Sequence, residues 1–268
     1  GDLMKDQALA IAGKASDSGM AVNLMREYLQ AFVLRSLHDC EAFRSLAFVG
    51  GTALRFLHGL PRFSEDLYFS LEQSSAYDGK TWMASIKREL TLSGFEAEVQ
   101  WNDRKTVHTA WIRLAGLLRE AGLSAMAEQK LSIKLEIDTR PPAGAQSERR
   151  VVTRHLSFFL RHYDLSSLLA GKLHALITRK YVKGRDWYDL LWYLSQRPAP
   201  VPNLTFLQNA LDQTQGVGQF DAHQWREQVR ERLQRLDMSS VHQDVLPFLE
   251  RTAEAELLNH ENLESLLN

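Results

Sequence analysis

At 268 residues, 44% hydrophobic and 24% charged, the chain has the composition of an ordinary folded protein, with apolar material for one large core or two modest ones. Lys and Arg number 32 against 33 Asp and Glu, which excludes a generally polybasic nucleic-acid binder and makes any attraction to phosphate local. A lone cysteine, Cys40, excludes an internal disulfide or a multi-cysteine zinc site, and with no signal-peptide pattern and no apolar run near about 20 residues, a cytoplasmic protein without a membrane span is expected.

From Ala21 to Phe43 apolar residues recur at helical spacing (Val22, Met25, Tyr28, Leu29, Phe32, Val33, Leu37), which predicts an amphipathic helix. The run Leu46 to Val49 stops at Gly50-Gly51 and gives way to Thr52-Ala-Leu-Arg-Phe-Leu, the pattern of a strand, a tight turn and a helix start that Pro61 closes. Arg62 to Leu71 alternates, with Phe63, Leu67, Phe69 and Leu71 on one side and Asp66 and Tyr68 on the other, which predicts a half-buried strand. A helix follows near Lys80 to Leu92, and the segments Phe95 to Trp101 and Thr106 to Leu114 predict a hairpin across Asn102-Asp103. Leu131 to Asp138 sends Leu131, Ile133, Leu135 and Ile137 inward and Lys134, Glu136 and Asp138 outward, and Val151 to Leu156 reads as a last short strand. From Asp164 onward the pattern is helical, with Pro198, Pro200 and Pro202 marking a connection. The expectation is an α+β protein: an α/β domain over residues 1–160 with helices at its amino-terminal end, then an all-helical domain over 161–268.

A Gly-Gly turn between strand and helix lets a ligand approach the backbone closely, and the unpaired N–H groups of the helix start suit a phosphate. Thr52 adds a hydroxyl, and Asp66 on the returning strand is placed to hold a divalent cation against the same triphosphate. Taken singly, each is also what an ordinary turn and a solvent-facing aspartate look like.

Taken together, Gly50-Gly51-Thr52-Ala-Leu-Arg, Leu60-Pro-Arg-Phe-Ser-Glu-Asp-Leu, and Lys172-Leu-His-Ala-Leu to Gly184-Arg-Asp-Trp-Tyr-Asp-Leu resemble the nucleotidyltransferase family of AbiEii/AbiGii-type toxins over residues 46–194. That family is a distant branch of the polymerase-β-like nucleotidyltransferase superfamily. The resemblance implies a mixed sheet flanked by helices, followed by a helical domain. It implies transfer of a nucleotide from a nucleoside triphosphate to an RNA acceptor, with the 3′ end of tRNA the acceptor the toxin branch suggests, magnesium or manganese as cofactor, and an antitoxin as partner. It further implies that Gly50, Gly51, Thr52, Ser64, Lys172 and Arg179 bind the nucleotide. Asp66, with Glu136 or Asp138 as a further carboxylate, would hold metal. Asp66, Lys172 and Asp186 would form the catalytic set, the last two brought by the helical domain to an interdomain cleft.

The chain departs from the family at Tyr68, which stands where a second metal-binding aspartate is usual. Glu65 is a poor substitute, because alternation turns it away from Asp66. This leaves a second reading, a catalytically weakened nucleotide-binding or partner-binding protein of the same fold.

On a helical wheel Lys172 falls in the apolar stripe of Leu165, Leu168 and Leu176, where it either snorkels to the edge of the core or reaches a ligand. Between Lys172 and Arg185 there are five basic residues and no acidic one, a local positive patch in a nearly neutral chain. Asp186 reads equally as the N-cap of the next helix, and Trp187, Trp192 and Tyr193 as core packing.

Overall fold

In the computed structural model, which describes residues 3–126 and 128–268, Met4–Gly13 forms helix α1 and Ser18–Asp39 forms α2. Asp17 caps α2 by accepting from the Met20 N–H at 2.8 Å. The predicted helix over 21–43 stops early because Glu41 turns left-handed (φ 59°), and Ala42–Arg44 tightens into a 3₁₀ turn. The chain divides into two units: Gly1–Leu57, Phe63–Arg140 and Arg149–His162 form the first, and His58–Arg62, Pro141–Glu148 and Tyr163–Asn268 the second.

Within the first unit follow β1 (Leu46–Val49), α3 (Gly50–His58), β2 (Leu67–Leu71), α4 (Gly79–Leu92), β3 (Glu96–Asn102), β4 (Val107–Ala115), a single turn α5 (Leu117–Glu120) and β5 (Leu131–Asp138). Two further strands, β6 (Ser147–Val152) and β7 (Phe158–Tyr163), complete the sheet. Among the described residues the seven strands run in the order β3-β4-β5-β2-β1-β7-β6. Pairing is antiparallel between β3 and β4, β4 and β5, and β1 and β2, and parallel between β2 and β5 and between β1 and β7, so the sheet is mixed.

The period of two settles which side is core. Leu46, Phe48, Leu67, Phe69, Ile133, Leu135, Ile137, Ala110 and Ile112 share one buried face, where the Phe48 and Phe69 rings stack at 5.3 Å. Met25, Leu29, Phe32, Val33 and Leu37 of α2 are buried as well, each such side chain contributing about 1.5–3 kcal/mol by leaving water. The opposite face carries Tyr68, Lys134, Glu136, Asp138, Thr109, Trp111 and Arg113, all half-buried, with Gln100 exposed. One face of the sheet is therefore closed into the core, and the other is partly exposed over β4, β5 and Tyr68, while Ala47 and Ser70 on it are buried.

Two strand expectations change. The strand predicted over 62–71 begins only at Leu67, because the carbonyls of Ser64 and Glu65 accept from the Gln30 side-chain amide at 2.9 and 3.0 Å and are taken out of any ladder. The strand predicted over 151–156 is replaced by β6 and β7, separated by a turn in which His155 is left-handed (φ 63°). The polar run Ser147-Glu-Arg-Arg hides β6, an edge strand of the sheet, from any reading by alternation.

The second unit is dominated by α6 (Leu165–Thr178), α7 (Gly184–Ser195), α8 (Leu204–Gln215), α9 (Trp225–Gln234), α10 (Met238–Val245) and α11 (His260–Leu267). Asp164 caps α6 and Asn203 caps α8, each accepting from the N–H three residues on. Helix α7 starts at Gly184, so Asp186 sits in its first turn and is not its N-cap. Gly184 is required there, because a Cβ would come within 2.4 Å of the Val241 carbonyl oxygen of α10. Trp187 and Tyr193 are buried in this unit, as expected of packing residues. Among the described residues no helix is long and apolar enough to cross a membrane.

Candidate active site

The passage from β1 into α3 is made by Gly50, whose φ of +84° an L side chain rarely adopts. A Cβ there would also stand 3.0 Å from Cδ2 of Tyr68, the residue paired with Val49 across the strands. The turn is thus shaped by both its own conformation and the ring beside it. Gly51 and Thr52 continue into the first turn of α3, whose leading N–H groups lack partners within the helix.

Thr52 plays a part other than the expected one. It is fully buried; its hydroxyl donates to the Asp66 main-chain carbonyl and lies 2.6 Å from Ser64 Oγ. Thr52 and Ser64 therefore fasten the glycine turn to the segment that leads into Asp66. The Thr52 hydroxyl is thereby occupied within the protein.

Tyr68 lies on the same side of its strand as Asp66, and its hydroxyl donates to Asp66 Oδ2 at 3.1 Å. The parallel register sets Tyr68 beside Glu136 and Ser70 beside Asp138, so Glu136 is the nearer of the two β5 carboxylates to Asp66 by one pleat. Asp138 instead accepts from the Arg140 N–H at 2.9 Å. Lys134, which the register continued by one residue places across from Asp66, puts its ammonium 2.7 Å from Glu136. The hydrogen bond to Glu136, together with the charges of Glu136 and Asp66, holds the Lys134 ammonium above the ordinary lysine range. Where a second carboxylate is usual, this face carries a neutral phenol and an adjoining ammonium.

Support for the Asp66 segment comes from residues that sequence reasoning passed over. Gln30 pins the loop before Asp66 from α2, and Arg55 of α3 ion-pairs with Glu27 and lays its guanidinium 4.0 Å from the Phe63 ring. Burial alone would raise the Glu27 carboxyl, but hydrogen bonds from His155 and Arg55, with the Arg55 and Arg154 charges, bring it down to about 2. The signal was present: Glu27 and Gln30 are polar residues set among the apolar positions of α2.

The second unit gathers its own charges. Lys172 Nζ lies 2.8 Å from Asp186 and 2.9 Å from Asp189, Arg62 holds Asp189 through two bonds of 2.6 Å, and Arg179 Nε lies 3.1 Å from Asp186. Burial disfavours the Lys172 ammonium, but Asp186 and Asp189 reverse this and hold it above its usual value. Burial likewise opposes the Asp189 carboxylate, which Arg62 and Lys172 bring below the usual range. Lys172 therefore neither snorkels nor sits alone in the apolar stripe. Its charge is matched inside the unit, in a cluster of three cations and two carboxylates. Arg185 of the expected basic patch is likewise engaged, 3.5 Å from Asp244.

A model of the AbiEii family, nucleotidyl transferase toxins of type IV toxin–antitoxin systems, matches residues 33–262. The chain belongs to the AbiEii nucleotidyltransferase toxins. Its fold is similar to that of a protein from H. pylori assigned as a nucleotidyltransferase, at 18% identity over 90% of this chain and 91% of that one, with a TM-score of 0.52. It is also similar to that of JHP933 from Helicobacter pylori, at 19% identity over 91% and 90% of the two chains, with a TM-score of 0.50. Among curated proteins no sequence matches it.

For an AbiEii protein the oxygen donors of this face are the point to test. Asp66 and Glu136 are hard carboxylate ligands of the kind magnesium and manganese take. Yet among the described residues no group of three His, Cys, Asp or Glu side chains is arranged to hold a metal ion. On this face Tyr68 meets Asp66 and Lys134 meets Glu136, so the two carboxylates are oxygen donors each already touched by a protein group.

Proposed function

We propose that this AbiEii-family nucleotidyltransferase transfers a nucleotide from a nucleoside triphosphate to an RNA hydroxyl, with the glycine turn and Asp66 as the reacting centre. The observation that carries the reading is the fastening of the one to the other: Thr52, in the first turn of α3, donates to the Asp66 carbonyl, and the Tyr68 ring packs on Gly50 while its hydroxyl meets the Asp66 carboxylate. A phosphate-binding backbone and a metal-binding carboxylate are thereby held on one spot, and positioning of this kind is most of what phosphoryl transfer asks of a protein.

In this reading the N–H groups that open α3 receive the triphosphate, and Gly50 permits its close approach. Asp66 would hold the magnesium or manganese ion with Glu136 as the nearer further carboxylate, and when bound the ion would neutralise charge on the phosphoryl oxygens. Lys134 supplies a fixed positive charge on the same face, and Gln30, Thr52 and Ser64 keep Asp66 from drifting. A triphosphate role for Lys172 rests on the family resemblance alone; within its own unit its ammonium lies between Asp186 and Asp189. An RNA acceptor, with the tRNA 3′ end the first to try, and a cognate antitoxin follow from the toxin family.

The test is incorporation of label from each α-labelled nucleoside triphosphate into total RNA, with magnesium, with manganese and with chelator. Transfer that needs a divalent ion and is lost in Asp66→Asn supports the proposal. Binding of a triphosphate with no transfer to any RNA would favour the second reading, a binding protein of the same fold, for which the Tyr68–Asp66 hydrogen bond is the motivating observation.

A further inference from the structure

The half-buried face of the sheet extends beyond Asp66 in one direction, where Trp111, Arg113 and Gln100 have no part in the proposed reaction. Register places Trp111 of β4 beside Lys134 of β5, and Lys134, Glu136 and Tyr68 share that face. The Arg113 guanidinium and the Lys134 ammonium both lie over the Trp111 ring, 5.0 and 5.7 Å from its centroid, where a stacking base would have to displace one of them. Gln100 of β3, bonded to Arg113 at 2.7 Å, continues the patch, and Glu98 at its far side is matched by Lys130 at 3.0 Å. A base that displaces one of these cations from the ring frees it to meet a neighbouring phosphate, so ring and cations together suit a base and its flanking phosphates.

The direction of this patch from Asp66 is set by the reaction. In an in-line phosphoryl transfer the leaving oxygen and the attacking hydroxyl lie on opposite sides of phosphorus. The glycine turn, which takes the departing pyrophosphate, continues β1, and β1 and β5 are the two neighbours of β2. The acceptor must then come from the β5 side. Neighbouring strands lie about 4.8 Å apart, so Trp111, two strands from β2, stands roughly 10 Å from the carboxylate strand, close enough to hold a nucleotide adjoining the reacting one.

We propose that the face of β4 and β5 around Trp111 is the acceptor platform, where the ring stacks on a base near the 3′ end of single-stranded RNA while Arg113 and Lys134 meet the flanking phosphates. This rests on the functional reading above and adds to it where the acceptor lies and in what form.

The probe is a short mixed-sequence oligoribonucleotide, labelled at its 5′ end and free at its 3′ hydroxyl, titrated with the full-length protein by fluorescence anisotropy, alongside calorimetric titration with nucleoside triphosphates. Trp111→Leu, which keeps apolar cover on the sheet but removes the π face, should weaken oligoribonucleotide binding about tenfold or more. Trp111→Phe should stay within about threefold of the parent, and nucleoside triphosphate affinity should be unchanged in both. Arg113→Gln should lower the salt dependence of binding by about one phosphate contact. An oligoribonucleotide that binds Trp111→Leu as well as the parent, or that binds the parent not at all, overturns the proposal while leaving triphosphate binding and transfer intact. A loss of triphosphate affinity in Trp111→Leu overturns it differently, by giving the ring to the nucleotide's own base. A parent that binds no triphosphate removes the functional reading, and this inference with it.

Discussion

Asp66 and Asp189 are both aspartates with charged neighbours, and they are treated in opposite ways. Asp189 is fully buried, with Arg62 and Lys172 matching its charge at 2.6–2.9 Å, so its interactions are completed by the protein. Asp66 is half-buried on the open face, touched by a neutral phenol, with a lysine whose nearest carboxylate is Glu136. Charge closed on itself in a dry interior fixes a conformation, whereas a half-solvated carboxylate can still be reached by a ligand. The same substitution made at each should therefore fail in a different assay.

Asp66→Asn is the strongest test of this contrast. It should lower nucleotide transfer by about a thousandfold, while thermal unfolding shifts less than for a fully buried aspartate, since Asp66 is only half-buried. Asp189→Asn should do the reverse in kind, destabilising the fold by about 3 kcal/mol or more in urea unfolding, because Arg62 is left buried without its carboxylate. If the two variants show the same profile, the division between a structural and an addressable aspartate is wrong.

Smaller effects sharpen the picture of the turn and its supports. Gly50→Ala should cost about 1–2 kcal/mol from the left-handed backbone alone, with a further loss of triphosphate affinity as the methyl presses on Tyr68. Tyr68→Asp should raise magnesium affinity several-fold, and transfer should be preserved or increased; abolished transfer in a folded variant that still binds nucleotide would show that the phenol has a role of its own. Glu27, lowered from 4.5 to about 2, contributes stability that is complete above its unfolded value near 4.5 and is lost as pH falls toward 2. Glu27→Gln should accordingly flatten the acid limb of the stability curve between those values, which urea titrations across that range would show.

The residues of the proposed reacting centre could be singled out in the sequence because their signals are local. A Gly-Gly pair between a β run and a helical run, and a period of two that puts Asp66, Tyr68, Glu136 and Asp138 on polar faces, both survive without any knowledge of long-range contacts. What escaped the sequence depends on distant partners. The segment before Asp66 looks like strand by alternation, but Gln30, 34 and 35 residues away, takes its carbonyls and holds it as a loop. Thr52 looks like a ligand donor until its hydroxyl is found on the Asp66 carbonyl. Lys172 looks like a lone ammonium in an apolar stripe because the arginine that shares Asp189 with it, Arg62, lies 127 residues before that aspartate. The edge strand β6 escaped for a different reason, since a polar strand at a sheet edge carries no alternation to read.

Calorimetric titration of the parent and of Asp66→Asn with each nucleoside triphosphate, with and without magnesium, goes most directly to the claim that a metal-bound triphosphate sits between the glycine turn and Asp66. The parent should bind at least one triphosphate about tenfold or more tightly with magnesium than without it, and Asp66→Asn should abolish that enhancement while keeping the metal-free affinity supplied by the turn. A folded Asp66→Asn protein that retains the full magnesium enhancement would contradict the assignment.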